Sequence, residues 1–296
     1  MNFWKGKKVL FIGDSMTARG EYPQTVAQIL GIQPFLHCKD GAHIVAMVDG
    51  ELGLNTDYEA FDNPETLLRP LCAQDVRNMD LIILFGGYNN LLYGGYGGRS
   101  CDIGIPGDCY QPDGTGQDTV AGVMQYAIER IYDELQKAGN SGCRLLIVTV
   151  DCTGRNQWVD ADGTQEFPAG SGKSYEKIAN IQKAVADWNA LPCCDLFHHS
   201  GINRHTWHIF SASQDSSDPY YSPFLLDENG AIIDSTRIRY QKGTAYYQHR
   251  NGKVTAEIYT QEVPYPYNAD QIHKSDLGYR RIGEVVAGAI IHAYGN

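Results

Sequence analysis

The feature that most constrains this chain is an alternation of two patterns. Short apolar runs recur between segments whose apolar residues repeat every three or four positions. A strand buried on both faces reads as a continuous apolar run, and a helical stripe between two such runs is the crossover that parallel strands require. Strands are therefore expected at 7–12, 34–38, 81–85, 144–150 and 194–197. The clearest helix follows Asp118, a suitable N-cap, and sets Val120, Val123, Ala127, Ile128, Ile131 and Leu135 on one stripe before Gly139 stops it. Two more are expected at 175–190, with Ile178, Ile181, Val185 and Trp188 inward, and at 277–292, with Ile282, Val285, Val286 and Ala289 inward. The fold class is α/β, with a central parallel five-stranded sheet covered by helices on both faces.

Two segments interrupt the alternation. Residues 86–117 hold ten glycines without periodicity and read as a long surface loop. Residues 200–267 read as a β-rich insertion within one domain spanning 1–296. In it Asn229-Gly230 and Asn251-Gly252 each have the composition of a tight hairpin turn. A two-residue loop at the second would set Val254, Ala256 and Ile258 opposite His249, Tyr247 and Ala245.

With 24 Lys plus Arg against 35 Asp plus Glu, the chain carries a net charge of −11. It offers no positive footprint to nucleic acid or an anionic membrane. No run of about 18 apolar residues appears, so no membrane span is expected. The apolar run after Lys7-Lys8 is too short for the core of a secretory leader. The expected location is the cytoplasm, with an extracellular or virion-associated protein as the alternative. The eight cysteines are dispersed in a large chain and read as reduced thiols, with a Cys101–Cys109 pair across a Gly/Pro loop as the exception to test. The segment Gly170-Ser171-Gly172-Lys173-Ser174 lacks the first glycine of a phosphate-binding loop, since Phe167 stands there. His198, His199, His205 and His208 near Asp195 and Cys193-Cys194 match no zinc spacing, so no metal is expected.

In a parallel sheet all strands end on one edge, and residues just past them converge. Past the first strand lies Gly13-Asp14-Ser15, past the second Asp40-Gly41-Ala42, past the third Gly87-Tyr88-Asn89-Asn90, and before the last helix Asp270-Gln271-Ile272-His273. Each alone has an ordinary reading as a turn or loop. Together they supply a nucleophile, a base, an orienting acid and donors for an oxyanion, the parts that acyl transfer requires.

These four blocks, in this order, resemble those of the SGNH hydrolases, the GDSL esterase/lipase family, over nearly the whole chain apart from the insertion. The resemblance implies a flavodoxin-like three-layer sandwich. It implies Ser15 as nucleophile with Asp270 and His273 completing a triad, and an oxyanion hole from the backbone N–H groups of Ser15 and Gly41 and the side chain of Asn89. The position after that asparagine, usually Asp in the family, is Asn90 here, which implies an altered hydrogen bond in the supporting loop. No cofactor is expected. The substrate would be a small-molecule or oligosaccharide ester.

Residues 200–267 hold eight of the 19 tyrosines, plus Trp207, directly before the Asp270 block. Aromatic faces with hydroxyl tips suit sugar rings better than a long acyl chain, although the same tyrosines could form the insertion's own small core. The expected substrate contacts are Tyr88, Trp207, Tyr246, Tyr247 and Tyr259. The resemblance, which includes many carbohydrate deacetylases, favours removal of O-acetyl groups from a carbohydrate. The alternatives are a lipid ester or thioester hydrolase, and a non-catalytic carbohydrate-binding module on the same fold.

Overall fold

The computed structural model describes residues 3–18, 21–50, 68–90, 101–153, 174–203, 206, 210, 239–240, 245–250, 253–258, 263–264 and 272–295. Five strands, β1 (Lys8–Gly13), β2 (Gln33–Cys38), β3 (Leu81–Phe85), β4 (Arg144–Val148) and β5 (Cys193–Cys194), form one sheet in the order β2-β1-β3-β4-β5. Every pairing is parallel, with Leu10 between Phe35 and Ile82, and Ile83 beside Leu146. This is the flavodoxin-like doubly wound order.

The apolar runs explain the layering. Every residue of β3, and all but the first residue of β1 and β4, is buried. Successive side chains of a strand point to opposite faces, so both faces of the sheet must be covered. Helix α2 (Glu21–Leu30) packs on α8 (Asp276–Tyr294), while α5 (Val120–Ala138) packs on α3 (Ile44–Asp49), α4 (Ala73–Val76) and α6 (Tyr175–Trp188). The stripe Val120, Val123, Ala127, Ile128, Ile131 and Leu135 lies entirely in the core. By contrast β2 is an edge strand, and Phe35 and Leu36 are exposed.

Several boundaries differ from the sequence expectation for local reasons. Thr119, not Asp118, caps α5, its Oγ1 accepting the Gly122 N–H at 2.9 Å. The fifth strand stops at Cys194 because Asp195 caps a short helix, α7 (Leu196–His199), by accepting the His198 N–H at 3.1 Å. Trp188 is exposed rather than inward. Helix α6 ends at that residue, beyond its last packed turn at Val185-Ala186, and the ring lies over Gly107 instead. The 86–117 segment is not wholly a surface loop. Residues 88–90 form a buried 3-10 turn, Cys101 is buried, and Asp102 bridges to Thr119; residues 91–100 lie outside the described ones.

In the 200–267 segment, β6 (Arg239–Tyr240) pairs with β9 (Val263–Pro264). Strand β7 (Ala245–Arg250) pairs antiparallel with β8 (Lys253–Ile258), His249 opposite Val254 and Tyr247 opposite Ala256. Asn229-Gly230 and Asn251-Gly252 lie outside the described residues.

The start of β4 gathers both ends of the described chain. Trp4 Nε1 donates to the Gly295 carbonyl at 2.8 Å, and Tyr294 Oη donates to the Leu145 carbonyl at 2.7 Å. The Arg144 guanidinium lies 4.9 Å from the Tyr294 ring and 5.7 Å from the Trp4 ring, within cation–π range.

At the opposite end of β1 the chain turns sharply into α1 (Ser15–Ala18), and Gly13 makes room for it. A methyl group there would sit 2.1 Å from Thr17 Oγ1 and 2.6 Å from the Phe85 carbonyl oxygen on the neighbouring strand. Gly13→Ala is therefore expected to lower stability by about 1–3 kcal/mol through overpacking. An unchanged urea midpoint would show that this turn is not tightly packed.

Candidate active site

The carboxyl edge of the sheet is assembled from four turns. At the first, the Asp14 carbonyl accepts the N–H groups of Thr17 at 3.0 Å and Ala18 at 2.9 Å, and Asp14 Oδ1 accepts that of Met16 at 3.0 Å. These bonds fix the passage from strand to helix and leave Ser15 just beyond the strand end, 8% exposed. On the last turn, Ser275 donates its N–H to the Phe210 carbonyl at 3.0 Å and caps α8, which places His273 immediately before the helix. His273 Nε2 lies 2.7 Å from Ser15 Oγ, across 258 residues of sequence. With the hydroxyl donating to Nε2, the imidazole carries its own proton on Nδ1, the nitrogen that a carboxylate would orient. Asp270, which the resemblance assigns to that task, lies outside the described residues.

The other two turns form the floor. Residues 39–42 make a tight turn closed by the Ala42 N–H on the Lys39 carbonyl at 3.2 Å. Gly41 occupies it at φ +78°, a left-handed conformation that a side chain would oppose. Asn89 donates from Nδ2 to the Ala42 carbonyl at 3.0 Å, and Asn90 Oδ1 accepts the Ile44 N–H at 3.1 Å. Two consecutive side-chain amides thus clamp the Gly41 turn from the third strand. A primary amide has two N–H bonds, so Asn89 keeps one beyond the bond that orients it. Among the described residues no acceptor takes the backbone N–H of Ser15 or Gly41. Asn90 fills the position that is usually Asp in the family the sequence resembles. Its oxygen does what a carboxylate oxygen could do, while its Nδ2 faces Cys101 Sγ at 3.7 Å inside the protein.

Asp14 stands apart electrostatically. It is fully buried, and its Oδ2 has no hydrogen-bond partner among the described residues. Burial pushes its pKa up to about 7, against the lowering effects of the Met16 N–H and the His273 imidazole.

One expected substrate contact is overturned. The Tyr88 ring is buried at 1% exposure, between Phe85 and Tyr175, and its hydroxyl donates to Asp151 Oδ1, so it is an interior strut. Tyr246 and Tyr247 lie on β7; Trp207 and Tyr259 lie outside the described residues. No disulfide joins Cys101 to Cys109 or any other two of the eight cysteines. His198 Nδ1 lies 2.9 Å from Asp195 Oδ1, and among the described residues no group of three or more His, Cys, Asp or Glu could hold a metal ion. His205, His208 and residues 170–173 are outside the described residues. Among the described residues no helix is long and apolar enough to cross a membrane.

Two residues at this edge escaped the sequence reading. Asp151 follows the fourth strand just as Ser15, Gly41 and Asn89 follow the first three, so the same edge rule applied to β4 would have found it. Lys274 is 2% exposed, and its Nζ lies 3.2 Å from Asp151 Oδ2. No pattern in the sequence marks a lysine as buried.

The buried Asp14 carboxyl sets a pH dependence. As pH rises from about 4 to about 7 the unfolded chain loses this proton while the folded chain keeps it, so folding stability falls over that window. Asp14→Asn keeps an acceptor for Met16 and removes the titration. The variant is expected to gain on the wild type by an amount on the order of a few kcal/mol between those pH values. Parallel stability curves from urea melts would show that Asp14 titrates as an ordinary carboxyl.

No family model matches the chain, and no curated protein matches it. Solved structures do. A protein from Lactobacillus plantarum is 16% identical with a TM-score of 0.48, covering 98% of this chain and 98% of its own. A carbohydrate esterase family 2 enzyme with a carbohydrate-binding domain, from Corynascus thermopiles (Myceliophthora fergusii), is 13% identical with a TM-score of 0.46, covering 98% of this chain and 67% of its own. A GDSL-like lipase from Bacteroides thetaiotaomicron is 14% identical with a TM-score of 0.38, covering 97% and 89%. In the order of its sheet and in the four blocks carried by the ends of its elements, the chain resembles the SGNH hydrolases.

Proposed function

We propose that this protein is a serine esterase, and that the Ser15–His273 contact of 2.7 Å at the carboxyl edge of the sheet carries the reading. A serine hydroxyl is a weak nucleophile at neutral pH and needs a base within hydrogen-bond reach at the moment of attack. Here His273 takes the Ser15 proton on Nε2 as Oγ adds to the ester carbonyl. It then returns that proton to the departing alcohol, leaving an acyl group on Ser15. Water repeats the sequence in the second half, releasing the acid and restoring the hydroxyl. Asp270, three residues before His273, is the carboxylate that would hold the ring and balance the imidazolium. The Ser15 and Gly41 N–H groups and the second N–H of Asn89 would receive the oxyanion. This chemistry calls for no metal or organic cofactor.

Ser15→Ala and His273→Ala are each expected to abolish nearly all hydrolysis of an aryl acetate while the chain stays folded. The double variant should be scarcely worse than either single one, because residues acting as a unit lose function together. Asn89→Ala should lower kcat by about 10²–10³ with little change in KM. Multiplicative losses in the double variant would break the assignment.

For the substrate, we infer an O-acetylated carbohydrate. The support is the tyrosine-rich 200–267 segment, which runs directly into the Asp270 block. Sugar contacts made away from the reacting ester position it and so raise kcat/KM, whereas a small aryl acetate reaches none of them. Replacing Tyr246, Tyr247 and Tyr259 with Ala is expected to depress hydrolysis of an acetylated oligosaccharide by several-fold per residue, at about 1 kcal/mol each, and to spare the aryl acetate. Proportional loss on both substrates, or a wild-type preference for long-chain acyl esters, would replace the carbohydrate reading with a lipid one.

A further inference from the structure

We propose that Lys274, Asp151 and Tyr88 form a buried brace that positions His273 against Ser15 and sets the turn carrying Asn89. The proposal rests on the esterase reading for its catalytic meaning.

The brace closes around His273. Lys274 follows the histidine, and its Nζ returns to donate to the carbonyl of Ile272, the residue before the histidine, at 2.8 Å. The ammonium therefore staples the backbone on both sides of the catalytic imidazole. The same Nζ lies 3.2 Å from Asp151 Oδ2, just past the end of β4. The other oxygen of Asp151 accepts from Tyr88 Oη, and that hydroxyl also accepts the Asp151 N–H at 2.8 Å. Tyr88 immediately precedes Asn89. One carboxylate thus ties the histidine turn and the oxyanion turn to the rigid sheet.

The placement is costly. Lys274 is 2% exposed and Asp151 is 0% exposed. Burying an ion pair rarely gains stability over an apolar pair of similar size, because both ions lose their water. The two ions do impose direction, since the ammonium donates to the Ile272 carbonyl and the carboxylate accepts from Tyr88, and charged hydrogen bonds of this kind tolerate little displacement where an apolar replacement would slide. A site that must hold an imidazole within about 0.5 Å of its productive position depends on supporting contacts of this kind. The three groups touch no reacting atom, so they are positioning residues.

The test uses Lys274→Met, Asp151→Asn, the near-isosteric Tyr88→Phe, and the double variant Lys274→Met/Asp151→Asn, which removes both charges together. Each is assayed as the folded full chain, with melting temperature measured alongside activity. For Lys274→Met and the double variant, kcat on an aryl acetate should fall about 10- to 100-fold with KM within a few-fold of wild type, the size expected of a displaced catalytic group. The double variant should recover melting temperature relative to the single charge removals without recovering kcat. Recovery of both would reduce the pair to charge balance and overturn the proposal, as would wild-type kcat in well-folded single variants.

A second arm does not depend on turnover. The ring nitrogen signals of His273, assigned by loss in His273→Gln, should shift in Ser15→Ala because the hydroxyl partner is gone. In the Lys274→Met background the same Ser15 substitution should leave them nearly unmoved, because the contact has already been lost. If the wild type hydrolyses no ester, the function proposal fails while this arm still decides the brace. An undiminished Ser15 effect in that background overturns it.

Discussion

The constraint on which everything else depends is that all five strands run the same way. Parallel neighbours cannot be joined by a tight hairpin, so each connection must cross a face of the sheet and return, burying both faces. That requirement explains why β1, β3 and β4 are apolar almost without a break. It also delivers the ends of four consecutive strands to one edge. Ser15, the Gly41 turn, Asn89 and Asp151 each occupy such an end. Their convergence follows from strand direction, and the individual turns have only to adjust it.

The adjustment is made mostly by backbone groups and neutral amides. Asp14 uses its carbonyl and one carboxyl oxygen to wind the chain around Ser15, and the paired asparagines hold the Gly41 turn by one acceptor and one donor. Neutral amides can be buried at lower cost than carboxylates provided they are bonded. Asn90, at the position where the family that the sequence resembles usually carries Asp, is bonded through its oxygen to the Ile44 N–H. The buried ionisable groups sit elsewhere, at Asp14, whose burial favours the protonated acid, and in the Asp151–Lys274 pair.

What could be read from the sequence was set by periodicity and by local chemistry. The third strand has the bounds that its apolar run dictates, and the first two differ by a residue, because a run buried on both faces leaves little choice. The serine–histidine contact was legible as well, once strand ends were treated as neighbours. The failures share a cause. A capping side chain cut the fifth strand short, and the end of a helix left Trp188 outside. Tyr88 looked like a ligand contact because tyrosine is amphipathic, and only the position of Asp151 shows that its hydroxyl is occupied indoors. Lys274 is the extreme case. Hydropathy assigns lysine to the surface, and the carboxylate that permits its burial is contributed by a distant strand end.

The knot of Trp4, Arg144, Tyr294 and Gly295 lies at the amino end of β4, whereas Ser15, the Gly41 turn and Asn89 lie past the carboxyl ends of the strands. At about 3.3 Å per residue, the five residues of β4 separate the two by roughly 17 Å. Both ends of the described chain therefore emerge at the pole away from the proposed site. Anything joined at either described end, whether a surface, a second domain or a peptide linking one end to the other, would attach at the pole opposite Ser15.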